Sequence, residues 1–121
     1  MTLPDNWDSP QHILVILAHP DDPEFFCGAT LALWARAGHH ITYQLLTCGD
    51  KGFNDSTPPE MTPDALCAIR QEEQVAAAKV IGVEEVHDCG LCTLCAPPGV
   101  LFSHRRDGGV TGRQAGVAWR T

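Results

Sequence analysis

Residues 12 to 18, HILVILA, form a continuous apolar run that gives way at once to HPDDPE, residues 19 to 24. Ile, Leu and Val without polar alternation suit a strand buried on both faces of a parallel sheet. Parallel neighbours cannot be joined by a tight turn, so such a strand commits the chain to a crossover, usually a helix. The next residues supply one: FFCGATLALWARAG is almost unbroken in apolar character from Phe25 to Ala37 and ends at Gly38, a natural C-cap. This reads as a well-buried helix. Asp22 reads as its N-cap, Pro23 fits the first helical position where no N–H is required, and Glu24 sits against the positive end of the helix dipole.

The alternation continues. HITYQLLT, residues 40 to 47, is β-branched at Ile41 and Thr42 and reads as a second strand, ending in the glycine-containing TCGDKGFND. Pro58, Pro59 and Pro63 keep residues 54 to 63 a loop. A long helix follows, with Thr62 as N-cap, Pro63 at the first position and Gly82 at the end; Leu66, Ile69, Val75 or Gln74, Ala78 and Ile81 have the spacing of its apolar face. EEVHD then opens a short third strand. The fold expected is α/β, a Rossmann-like parallel sheet with flanking helices and right-handed crossovers, incomplete at three strands and two main helices with an irregular tail. Residues 1 to 11, with Pro4 and Pro10, read as an extended arm, 12 to 88 as the α/β portion and 89 to 121 as a divergent tail rich in Cys, Gly and Arg. Ligands in such sheets bind beyond the carboxyl ends of the strands, where HPDD lies.

Composition narrows the partner. A chain of 121 residues is expected to form one small domain, and a net charge of −7 argues against nucleic acid or an anionic membrane as the main partner. A small molecule is the expected ligand. No apolar run approaches the roughly 18 residues of a spanning helix, and MTLPDNWDSPQH lacks the basic start and apolar middle of a signal peptide, so a cytoplasmic location with the six cysteines reduced is expected. The charge is uneven: residues 1 to 88 hold fourteen acidic and four basic side chains, whereas 89 to 121 hold Asp107 and four arginines.

HPDD has two readings. As punctuation, Asp22-Pro23 starts a helix and His19 hydrogen-bonds in a crowded turn, which leaves Asp21 unexplained. As a site, the loop uses all three polar groups. A catalytic zinc takes neutral imidazole and carboxylate ligands, usually three from the protein, and leaves a position for water. His19 and one Asp would supply two. Adjacent residues entering a helix point in different directions, so the carboxylates can divide the work, one on the metal and one as a general base toward the attacking water, the chemistry of metal-assisted amide hydrolysis. Two neighbouring carboxylates also make sense beside a cation, since unpaired they would repel.

AHPDDPEF, CGATLALWARAGHHIT, LTCGDKG and IRQEEQVAAAKVIGVEEV, in that order, resemble the LmbE-like, or PIG-L, family of zinc-dependent N-acetylglucosaminyl deacetylases, over about residues 12 to 88. The resemblance implies that His19 and Asp22 are zinc ligands, that Asp21 is the general base, and that Arg70, set with Glu73 on the second helix, lies near the substrate pocket. A solvated helix face, with Arg70 paired to Glu73 or Gln74, is the competing reading of that arginine. Thr47, Gly49 and Gly52 follow the family pattern and also suit a simple turn. The implied reaction removes an N-acetyl group from a glucosamine-containing small molecule. The family's third zinc ligand is a histidine far downstream, and no residue here is identified with it; His104 sits in FSHRRD, which does not match the family motif.

Beyond residue 89 the reading divides. Either the tail has left the family's reading frame, or it is an adaptation in which Cys89, Cys92 and Cys95, a C-x2-C-x2-C run, ligate a metal. The alternatives to a deacetylase are therefore a non-catalytic Rossmann-like remnant that self-associates through an exposed sheet edge, and a small cysteine-ligated metal protein. A dinucleotide-binding domain is disfavoured, because no G-x-G-x-x-G follows the first strand.

Overall fold

The computed structural model describes residues 7–104 and 106–112; the first six residues of the expected arm, Arg105 and the last nine residues of the tail lie outside them. The chain divides into two compact units, Met1–Gly90 and Leu91–Thr121. The first contains, in order, β1 (His12–Leu17), α1 (Asp22–Arg36), β2 (His40–Leu45), α2 (Pro63–Ile81) and β3 (Glu85–Asp88). The three strands form one parallel sheet in the order β1-β2-β3, with His12 opposite His40 and Thr42 opposite Glu85 at the starts of the two ladders. The fold is thus the expected α/β alternation, and it brings the carboxyl ends of all three strands to one edge.

Both helices pack on the same face of the sheet. Ile41 and Tyr43 of β2 are fully buried there and cluster with Leu31 of α1, Ala78 of α2 and Val83. Removing Leu31 and Ile41 from water stabilises the unit by about 1.5–3 kcal/mol each. Burial of Tyr43, reinforced by the nearby Glu24 carboxylate, pushes its phenol far above its ordinary range, so it is a neutral core group.

Two sequence expectations are corrected and one open alternative is decided. β1 is an edge strand with helices on one side only, so Leu14 and Ile16 are 55% and 38% exposed instead of buried on both faces. Only one stripe of α1 meets the sheet: Pro23 and Leu31 are buried, while Phe25 and Phe26 stand 83% and 70% exposed. On α2 the buried position is Gln74, not Val75, which is 55% exposed. The ends of α2 are as expected, with the Thr62 hydroxyl accepting the Ala65 N–H at 3.2 Å and Gly82, at φ 98°, donating its N–H to Ala78.

The described residues of the second unit form turns without helix or strand. Arg106 organises them: its guanidinium donates to the carbonyls of Thr93 (3.1 Å), Ala96 (3.0 Å) and Leu101 (2.7 Å) and to the Asp107 carboxylate (2.8 Å). The Arg106 hydrogen bond, followed by those from Thr111 and the Ser103 N–H, lowers the Asp107 carboxyl to about 2.

Candidate active site

The site begins where β1 runs out. Leu46 and Thr47 continue the parallel pairing by donating to Leu17 and Ala18 at 3.0 Å, so the loops after β1 and β2 leave the sheet side by side. In the first loop the helix cap is Asp21, one residue earlier than expected. It takes the left-handed conformation, φ 85° and ψ −29°, and its side chain caps nothing. Among the described residues it is the only non-glycine with positive φ. Such a conformation costs an L-residue about 1–2 kcal/mol and persists only where its surroundings impose it.

That backbone turn separates the two carboxylates. Asp22 turns back on the loop: its Oδ2 accepts the His19 N–H at 2.9 Å and lies 3.3 Å from His19 Nδ1. Asp21 turns away, 74% exposed, and its Oδ2 meets Arg70 Nη2 at 3.0 Å. The loop thus places His19 and Asp22 together and directs Asp21 elsewhere, so adjacent residues have different partners.

Two residues one turn apart on α2 hold this loop. Arg70, 19% exposed in its side chain, donates to the Pro20 carbonyl at 2.8 Å and the Gly49 carbonyl at 3.3 Å besides pairing with Asp21. Its partner is Asp21, not Glu73 or Gln74. Gln74 is 2% exposed; its Oε1 accepts the Asp21 N–H at 2.7 Å, and its Nε2 donates to both oxygens of Glu24 at 3.0 and 3.1 Å. Sequence reasoning did not assign Gln74 to the site. Its signal was an amide four residues after Arg70, on the stripe that also carries Ala78.

The second loop makes room for the arginine. Thr47 is buried and its hydroxyl accepts the Gly49 N–H at 3.0 Å. Gly49 stands at φ 75°, and a β-carbon there would collide with the Arg70 guanidinium; one on Gly52 would come within 2.7 Å of Arg70 Nη1. The glycines therefore give Arg70 space as well as turning the chain. A disulfide joins Cys48 of this loop to Cys67 of α2, contrary to the expectation of reduced thiols, because the fold lays the loop against the helix. Of the remaining cysteines, Cys27 is partly buried, and burial, then the Glu24 carboxylate, push its thiol up, which makes it a poor nucleophile.

Two clefts flank the Pro20 turn. One of about 240 Å³ is lined by Asp21, Glu24, Arg70, Glu73 and Gln74. The other, of about 210 Å³, lies over the ends of β2 and β3 and is lined by Thr47, Cys48, Gln71, Val75, His87 and Asp88. Among the described residues no three His, Cys, Asp or Glu side chains group closely enough to hold an ion, the Cys89, Cys92 and Cys95 run included. Cys89 instead accepts from Gln44 Nε2 at 3.0 Å.

Strand order, crossovers and a His-Pro-Asp-Asp turn at the end of β1 define an α/β protein with a candidate catalytic loop at the carboxyl edge of its sheet. The profile of the PIG-L family, the GlcNAc-PI de-N-acetylases, matches residues 14–108, and the chain belongs to that family. The match runs beyond residue 89, so the change in composition does not end the family likeness. The chain is 30% identical over 80 residues to a probable N-acetyl-alpha-D-glucosaminyl L-malate deacetylase of Bacillus anthracis, covering 66% of this chain and 35% of the relative. It is 38% identical over 81 residues to the 1D-myo-inositol 2-acetamido-2-deoxy-alpha-D-glucopyranoside deacetylase of Kineococcus radiotolerans, covering 64% of this chain and 22% of the relative. Among solved structures, the N,N'-diacetylchitobiose deacetylase of Pyrococcus horikoshii superposes with a TM-score of 0.65 at 27% identity, covering 74% of this chain and 32% of that one. The chain thus spans about a third or less of the length of these relatives.

Proposed function

We propose that this chain carries part of a metal-dependent deacetylase site that hydrolyses the N-acetyl amide of a glucosamine-containing small molecule. The observation that carries the reading is the division of the HPDD loop: His19 and Asp22 converge to 3.3 Å while Asp21 faces Arg70. The relatives named above act on N-acetylated glucosamine conjugates, which supports the substrate class.

His19 and Asp22 fit two of the three protein donors of a catalytic zinc site, one imidazole and one carboxylate. When bound, the ion supplies Lewis acidity toward the amide carbonyl and a lowered pKa for the attacking water. The chain's own residues do the rest. Asp21, exposed and oriented by Arg70, accepts the proton of the attacking water as its oxygen bonds to the acyl carbon. It returns that proton to the nitrogen as the C–N bond breaks, leaving acetate and a free amine. Arg70 ties the base to Gly49, so both loops keep their relation to the substrate. We place the reaction in the cytoplasm, although the Cys48–Cys67 bond is of a kind rare there; acid-quenched thiol counting on the extracted protein decides, reduced Cys48 and Cys67 supporting the cytoplasm and an intact bond counting against it.

The test is zinc stoichiometry by elemental analysis for the 121-residue chain and for His19→Ala, beside acetate release from N-acetylglucosaminyl conjugates by the wild type and Asp21→Asn. Zinc lost in His19→Ala and acetate release lost in Asp21→Asn support the reading. A second reading, a non-catalytic Rossmann-like remnant, draws on the two-donor set among the described residues, and a metal-free wild type without acetate release would support it.

A further inference from the structure

We propose that Gln74 is a positioning residue: it holds Asp21 in its left-handed conformation and so keeps the Asp21 and Asp22 carboxylates on different partners. This rests on the reading above, in which Asp22 is a metal ligand and Asp21 the base.

The Pro20 carbonyl and the Asp21 N–H belong to the same peptide unit. Arg70 grips the carbonyl at 2.8 Å and Gln74 grips the N–H at 2.7 Å, so two side chains one helical turn apart fix both ends of that peptide plane. Gln74 also anchors the first turn of α1, through its paired contacts to the Glu24 carboxylate at 3.0 and 3.1 Å. With the peptide before Asp21 and the helix after it both anchored to α2, the link between them closes at φ 85°. Gln74 is 2% exposed, so its amide is turned to these partners and not to solvent. A buried amide with one end on the loop and the other on the first turn of the helix that follows sets the conformation between them instead of merely filling the core.

The consequence is specific. In a right-handed or extended conformation at residue 21, the following Cα–C bond swings away from the present path. Asp22 then no longer reaches back to His19, where its Oδ2 now accepts the backbone N–H at 2.9 Å. Glycine adopts positive φ without the penalty an L-residue meets. The clamp is therefore needed for Asp at position 21 and dispensable for Gly.

The test uses Gln74→Met, which keeps length and removes all three hydrogen bonds, alone and combined with Asp21→Gly. A zinc titration is followed at the His19 imidazole resonances, which report this site alone. Gln74→Met is expected to weaken zinc binding roughly fivefold to thirtyfold, the scale set by an L-residue's preference against the left-handed conformation, and the double variant to recover most of that loss. Unchanged affinity in folded Gln74→Met, or no recovery in the folded double variant, overturns the proposal. If Gln74→Met alone does not fold, restored folding in the double variant supports the clamp and continued unfolding overturns it. If the wild type binds no zinc at His19, the metal reading fails by itself. The intraresidue HN–Hα NOE of Asp21, strong at positive φ, then decides: its loss in Gln74→Met supports the clamp and its persistence overturns it.

Discussion

At the scale of single residues, the site depends on a few groups whose environments are set from elsewhere in the chain. Gly49 is the most sensitive. It combines φ 75° with a guanidinium where a β-carbon would go, so Gly49→Ala is expected to destabilise the first unit by about 1–3 kcal/mol, measured by urea unfolding, with Gly38→Ala as a comparison at φ 91° and open space. Arg70→Met leaves the Pro20 and Gly49 carbonyls without their charged donor and is expected to cost a similar amount, about 1–3 kcal/mol. Asp107 provides a pH prediction. Its folded carboxyl lies at about 2 against an ordinary 3.8, so its contribution is present above 3.8, declines as pH falls through that interval, and is gone below about 2. A carbon-13 titration of the Asp107 carboxyl should show that midpoint, and in Arg106→Met it should rise toward the ordinary value.

At the scale of elements, the sequence made the strands and α2 legible and left the site loop half-read. The ends of α2 could be read because Thr62, Pro63 and Gly82 act on their own backbone, within one turn. The Asp21 cap could not, because its sign of φ is imposed by Arg70 and Gln74, about fifty residues away; local preference alone favoured Asp22. The choice between Val75 and Gln74 stayed open because adjacent positions on a helix both lie near the edge of its apolar stripe, and only the packed sheet decides which turns inward. The pairing of Cys48 with Cys67 is likewise a property of loop against helix. With a sequence separation of 19, the bond is expected to contribute about 3 kcal/mol by restricting the unfolded chain. Cys48→Ser, or reduction of the wild type, should lower the unfolding midpoint, and reductant should then have no further effect on the variant.

At the scale of the whole molecule, a sheet with both helices on one side leaves β1 with one strand partner among the described residues, beside Leu14 and Ile16, 55% and 38% exposed. Edges of this kind pair with other strands unless charge or proline blocks them. Self-association through β1 is the expected result, read as concentration-dependent mass by light scattering, and Leu14→Lys should shift it toward the monomer. A wild type that stays monomeric at high concentration counts against this. The disulfide has a different consequence. Because Cys48 and Cys67 close the chain on itself, the exposed stretch 53 to 56 between them is the arc of a covalent ring. A protease that nicks this arc would open the ring without parting the fragments. The piece bearing Asp21 and the piece bearing Arg70 and Gln74 would migrate as one species until reductant is added, so the candidate site could outlast a cut in its own chain.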